Sequence, residues 1–179
     1  MRLFFALPLS IDTTLRISDW RDRYAPCDAR PVPAANFHIT LAFAGELPER
    51  ALEFLCDATD SWVNSHQPSA GDMLLDRVGF WAKPGIFWLG PSAYDDALAE
   101  LAKKLQSLVV SAGARRERRK WEPHITLYRG CNLAPPAPDS EPSIPCHYDL
   151  ICLFESQRAR NGMIYRRVAE WQLARHRTR

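Results

Sequence analysis

One four-residue segment occurs twice in this chain, and it constrains the fold more than any other feature. Phe37-His38-Ile39-Thr40-Leu41-Ala42-Phe43 and Pro123-His124-Ile125-Thr126-Leu127-Tyr128-Arg129 share His-Ile-Thr-Leu at a separation of 86 residues. The chain holds five His and six Thr in 179 residues. Random placement of those residues gives about 0.17 His-x-Thr triplets per chain. Two copies, each followed by Leu, therefore mark a duplication, and the spacing is too long for a solenoid repeat. Side chains alternate across a strand, so Ile39 and Leu41 face a core while His38 and Thr40 face away from it. The same alternation sets Ile125 and Leu127 against His124 and Thr126. A single strand histidine is ordinarily a solvated residue. Two lobes packed face to face would instead aim two imidazoles at one point.

The elements around the repeat fit an α+β chain. Arg2 to Pro8 reads as a buried strand rather than a leader, because its apolar run stops at Leu9 with no small-x-small site before Asp12. Ser10 opens a helix that ends before Pro26, and Cys27 to Asn36 is a loop. Phe37 to Ala44 is a strand. Pro48 stands at a first helical position, followed by Leu52, Leu55, Thr59, Trp62 and Val63 at helical spacing. Strands at about Met73–Trp81 and Ile86–Leu89 flank a Lys83-Pro84-Gly85 turn. Ser92 is placed to cap a third helix with Leu98, Leu101, Leu105 and Leu108 on one face, ending at Gly113. A strand from Pro123 to Tyr128 follows. Five prolines between residues 132 and 147 imply an irregular connection. Strands at about Tyr148–Ser156 and Met163–Gln172 then flank an Asn161-Gly162 turn. No regular βαβ rhythm and no Gly-rich nucleotide loop appears, which favours α+β over a doubly wound sheet.

Composition narrows the partners. The 23 Lys+Arg nearly balance 21 Asp+Glu, yet residues 1–114 carry a net −4 and residues 115–179 a net +6. Arg supplies 19 of the cations, and its planar fork suits phosphate or carboxylate. Arg115-Arg116-Glu117-Arg118-Arg119-Lys120 concentrates five cations just before the second motif, either as a solvated loop or as a contact to a phosphate-bearing partner. The five cysteines include no CxxC and no grouping with His, so they read as reduced thiols of a cytoplasmic protein, not a disulfide framework or zinc site. No apolar run is long enough to cross a membrane. Trp81 and Trp88 read as core or lobe-interface residues, and Tyr128 falls at the rim of any cleft.

Two histidines and two hydroxyls around a groove suit phosphodiester chemistry without metal. One imidazole takes a proton from the nucleophile while the other, protonated, supplies the leaving oxygen. Thr40 and Thr126 would donate to the non-bridging oxygens, where charge builds. No His-x-His, His-x₃-His or carboxylate cluster accompanies either motif, so neither metal nor cofactor is expected.

The extended forms His38-x-Thr40-x-x-Phe43 and His124-x-Thr126-x-x-Arg129 resemble the two-histidine phosphoesterase superfamily, in particular its RNA 2′,3′-cyclic phosphodiesterase (2′-5′ RNA ligase) branch. Arg2–Leu7, Arg30–Val32 and the stretch from Phe154-Glu155-Ser156 through Gly162 to Tyr165 fit the same pattern. The resemblance spans nearly all of residues 1–179. It implies one bilobal α+β domain of pseudo-twofold lobes, with two antiparallel sheets around a central cleft and helices outside. It further implies that His38 donates a proton to the departing ribose 3′ oxygen and that His124 activates water. Arg129 would grip the phosphate, and Phe43 would stack on the terminal base. The expected partner is RNA ending in a 2′,3′-cyclic phosphate, bound by a monomer. Reversible 2′-5′ ligation, a nucleotide-sized cyclic phosphate substrate and a non-catalytic RNA-end-binding module are the alternatives.

Overall fold

The computed structural model describes residues 1–160 and 162–175. Twelve main elements follow one another: β1 (Arg2–Pro8), α1 (Ile11–Tyr24), β2 (Arg30–Pro31), β3 (His38–Glu46), α2 (Glu49–His66), β4 (Gly71–Trp81), β5 (Ile86–Pro91), α3 (Asp96–Ser111), β6 (Ile125–Arg129), β7 (Ile144–Tyr148), β8 (Leu150–Ala159) and β9 (Gly162–Gln172). They build two antiparallel sheets, ordered β3-β1-β8-β9 and β2-β6-β5-β4-β7. The α+β architecture with two antiparallel sheets is thus as expected.

The duplication is visible in the strand orders. Reading β3-β1-β8-β9 against β6-β5-β4-β7 superposes one motif strand on the other. In each lobe a strand ending in proline, β1 at Pro8 or β5 at Pro91, leads through a helix to the motif strand beside it. The aliphatic halves of the motifs face inward as alternation requires: Ile39, Leu41, Ile125 and Leu127 are all fully buried. They join Leu3, Phe5, Leu7, Leu55, Leu75, Leu89, Leu98 and Leu105 in an apolar core. α3 packs along β3, α1 reaches β7, and α2 touches α3 and β9.

Both motif strands carry a β-bulge at the same motif position. Phe5 pairs with Ala42 and Ala6 with Thr40, which leaves Leu41 as an extra residue. Phe87 pairs with Tyr128 and Trp88 with Thr126, which leaves Leu127 as the extra residue. A bulge shifts every later side chain to the opposite face. His38, Thr40 and Phe43 therefore lie opposite Pro8, Ala6 and Phe4 on one face of the first sheet. Thr126 and Arg129 lie opposite Trp88 and Ile86 on one face of the second. Without the bulges, the residue five positions after each histidine would point into the core.

The exposed backbone of each bulge is satisfied from a distance. The Leu41 carbonyl accepts from Gln106 Nε2 at 3.2 Å, and the neighbouring Thr40 carbonyl accepts from Trp121 Nε1 at 2.9 Å. β3 is a sheet edge, so these two side chains cover donor-seeking groups that an edge otherwise leaves open. The Leu127 carbonyl accepts from the Val32 amide at 2.8 Å. Val32 is held in turn: its carbonyl accepts from the buried Arg21 guanidinium at 2.6 Å, which also lies over the rings of Phe37 and Tyr128.

Four local expectations are corrected. Arg30–Pro31, expected as loop, forms the short strand β2 against β6. The proline-rich connection contains a strand, β7, which tolerates Pro145 because it pairs with β4 alone at the sheet edge. α3 starts at Asp96, with Asp95 and not Ser92 in the cap position. Ser92 is captured by Asp76, whose carboxylate accepts from both its amide and its hydroxyl. Tyr128 does not reach a cleft rim; the Leu127 bulge turns it inward, where it is buried and stacked on Phe87 at 6.1 Å. Ser10 caps α1 as expected, accepting from the Thr13 amide at 3.1 Å. Of the expected Asn161-Gly162 turn, Gly162 opens β9 with a φ of 130°, while Asn161 lies outside the described residues.

Candidate active site

His38 and His124 are held by the same device. Each imidazole donates from Nδ1 to the carbonyl two residues upstream, Asn36 for His38 and Glu122 for His124, both at 2.8 Å. This bond fixes the ring orientation and leaves Nε2 as the free nitrogen of the neutral ring. His38 Nε2 accepts from the Thr40 hydroxyl at 3.1 Å. Glu122 and Asn36 are themselves anchored: the Glu122 carboxylate pairs with Arg77, and the Asn36 side-chain amide donates to the Met163 carbonyl at 3.0 Å.

Aromatic rings wall both histidines. His38 lies 5.0 Å from Phe4 and 5.0 Å edge-on from Tyr165, with Phe154 at 6.5 Å. Phe43 stands 6.0 Å from Phe4 on the same face and is 62% exposed, leaving its ring open to a ligand. His124 meets Trp81 edge-on at 4.5 Å and Trp88 at 6.2 Å. Trp88 is buried, as expected of a core residue, and Trp81 is half-buried, and both stand against His124. The packing under Trp88 is close. A side chain at Gly79 or Gly90 would collide with its ring or with the neighbouring Pro123 carbonyl, so two glycines let the indole lie flat. Apolar periodicity in β5 could not separate a core-facing from a cleft-facing tryptophan, since all six of its residues are buried.

Burial dominates the titration of the pair. Desolvation pushes His38 down to about 4, with the nearby His124 and Arg129 charges acting in the same direction against the Asn36 carbonyl. His124 is likewise pushed down to about 4 by burial and then by Arg129. Arg129 is thus close enough to act on both rings, and the two motifs share one electrostatic environment. Both imidazoles are neutral near pH 7 when the site holds no anion.

Each expected site residue has a definite place. His38, Thr40 and Phe43 lie on the cleft face of β3, and Thr126 and Arg129 on that of β6, with His124 immediately before it. A groove of about 320 Å³ runs past His38 between Pro8, Ile11, Leu15, Asn36, Phe154, Tyr165 and Arg167. A second, of about 140 Å³, holds Arg129, Arg30, Asn36, Met163 and Tyr165. The Arg115–Lys120 segment is exposed. The adjacent Trp121 ties it to the site by donating to the Thr40 carbonyl. Among the described residues, no group of three or more His, Cys, Asp or Glu is placed to hold a metal ion. No helix of the described residues is long and apolar enough to cross a membrane.

Residues Leu7 to Ser143 match the family model described as the 2′-5′ RNA ligase superfamily. An RNA 2′,3′-cyclic phosphodiesterase of Escherichia coli is 34% identical over 178 residues, covering 96% of each chain. Its counterpart in Methanocaldococcus jannaschii is 25% identical over 183 residues, covering 96% of this chain and all of that one. The crystal structure of Escherichia coli LigT complexed with 3′-AMP superposes with a TM-score of 0.85 at 30% identity, covering 96% of this chain and 97% of that one. A family match over most of the chain, a full-length relative and a shared fold agree, and the chain belongs to the 2′-5′ RNA ligase superfamily.

Proposed function

We propose that this protein hydrolyses RNA 2′,3′-cyclic phosphate ends to 2′-phosphates without a metal ion. The observation that carries the reading is the pair of identically locked imidazoles beside one arginine. A binding module needs no such pair of titratable rings. The namesake activity of the Escherichia coli relative supports the same substrate class.

In this reaction a water oxygen attacks phosphorus as its proton passes to His124 Nε2. The P–O3′ bond breaks, and His38 supplies the proton that the ribose 3′ oxygen needs, leaving a 2′-phosphate and a 3′ hydroxyl. Each acid–base contribution is typically worth about 10²–10⁴-fold. His124 is already neutral and needs no preparation to act as the base. His38 must first gain a proton, and the anionic phosphate between the motifs favours its imidazolium. Thr40, Thr126 and Arg129 hold the non-bridging oxygens, while Phe43 stacks on the terminal base. Incubating a cyclic-phosphate oligonucleotide with the enzyme in excess EDTA tests the reading. Turnover to the 2′-phosphate is expected. Loss of activity in EDTA with recovery on adding a divalent ion would exclude the metal-free route, and no turnover with or without metal would exclude the activity.

A further inference from the structure

We propose that Arg30, beside Arg129, forms a second anion subsite that holds the phosphodiester on the 5′ side of the reacting nucleotide. This inference deepens the function proposed above and rests on it. Arg30 and Arg129 are direct cross-strand partners on β2 and β6. Their side chains therefore leave the sheet on one face about 5 Å apart. Like charges opposite one another destabilise a strand pair, and among the described residues neither guanidinium has an ion-pair partner. Both are exposed, and both line the 140 Å³ groove with Asn36, Met163 and Tyr165.

That groove is continuous with the catalytic residues. Asn36 lends its carbonyl to His38 and Tyr165 packs edge-on against the same imidazole. Arg129 stands toward the histidines, acting on both, so Arg30 is the member of the pair left over once Arg129 takes the reacting phosphate. The fold also makes room for it. A side chain at Gly162 would come within 2.8 Å of Arg30 Nη2, so the bare glycine backbone at the start of β9 accommodates the guanidinium. Two unneutralised forks side by side in one groove match two successive phosphates of one strand. A nucleoside cyclic phosphate, with a single phosphate, would leave Arg30 unused.

The test compares wild type with Arg30→Gln on uridine 2′,3′-cyclic phosphate and on the dinucleotide UpU bearing the same cyclic end. Loss of one charge-assisted contact should lower kcat/KM for the dinucleotide roughly tenfold, chiefly through KM. The mononucleotide should change by less than about twofold, and the salt dependence for the dinucleotide should flatten by about one charge. Equal losses on both substrates, or no loss on the dinucleotide, would overturn the subsite. If wild type turns over neither substrate, the proposed function fails. The subsite is then read from titrations with the 2′-phosphates UpUp and Up. Wild type should hold UpUp more tightly by a margin that Arg30→Gln erases, and equal margins would overturn it.

Discussion

Lowering the pH from 8 to 5 should destabilise this protein through its two site histidines in particular, and the size of the effect follows from their burial. Each folded imidazole titrates near 4, whereas in the unfolded chain it titrates near 6.5. The unfolded state then binds more protons between those values, so stability is complete above the unfolded pKa and drains away as pH falls toward the folded one. Between pH 8 and 5 each site could cost at most about 2 kcal/mol by this linkage. Both rings are partly exposed, so solvent screening brings the sum of about 4 kcal/mol down to about 2 kcal/mol. In a chain of this size that is roughly 4–8 °C in melting temperature. The comparison is with the double variant His38→Asn/His124→Asn, in which each amide can still donate to the Asn36 or Glu122 carbonyl but does not titrate. All other groups titrate in both proteins. The variant should therefore lose less stability than wild type over this range, by about 2 kcal/mol in denaturant melts at each pH. Parallel pH curves for the two proteins would refute the claim that desolvation holds the imidazoles neutral.

The same site yields further expectations. His38→Ala and His124→Ala should each cut single-turnover hydrolysis by 10²-fold or more while the protein stays folded, and a folded variant keeping above about a tenth of the wild-type rate would contradict an acid–base role. Arg129→Lys should impair turnover severely because an ammonium keeps the charge but loses the fork; a near-neutral result in kcat/KM would remove Arg129 from the phosphate. Phe43→Ala should weaken substrate affinity by roughly 1–3 kcal/mol with little dependence on the terminal base, and an effect confined to kcat would argue against stacking. Trp121→Phe deletes the donor to the Thr40 carbonyl and should cost about 1 kcal/mol of stability, measured by denaturant melting, together with a lower kcat as the first motif loosens.

What the sequence made legible was the local part of the site. Alternation alone separated Ile39 and Leu41 from His38 and Thr40, because two-residue periodicity holds up to the bulge. The same rule places Phe43 and Arg129 on the wrong face, since each stands five residues after its histidine. Only resemblance to other chains assigned them to the cleft. Their orientation depends on bulges whose carbonyls are satisfied by Gln106, Trp121 and Val32. The first two lie 65 and 81 residues from their acceptors. Periodicity read within one strand carries no information about such partners. The cap of α3 was misread for a related reason: Ser92 has the right chemistry, but Asp76 on β4 takes its hydrogen bonds.

The repeated leucine has a double duty that explains why the duplicated segment extends beyond His-x-Thr. In each copy Leu anchors the strand in the core, being fully buried at both Leu41 and Leu127. In each copy it is also the extra residue of the bulge. A bulge disrupts the ladder locally and increases twist, so it persists where side-chain burial and a carbonyl cap together offset that cost. Removing about one buried leucine side chain of apolar area forfeits 2–5 kcal/mol, more than a single capped carbonyl contributes. Burial of the leucine is therefore the main force holding the bulge, and the cap selects which carbonyl turns outward. Through that geometry a core residue with no access to substrate decides that Phe43 and Arg129, one apolar and one charged, reach the same cleft from opposite lobes. The divergence of the two copies at this fifth position is what makes a symmetric fold into an asymmetric site, with an aromatic ring on one side and a guanidinium fork on the other.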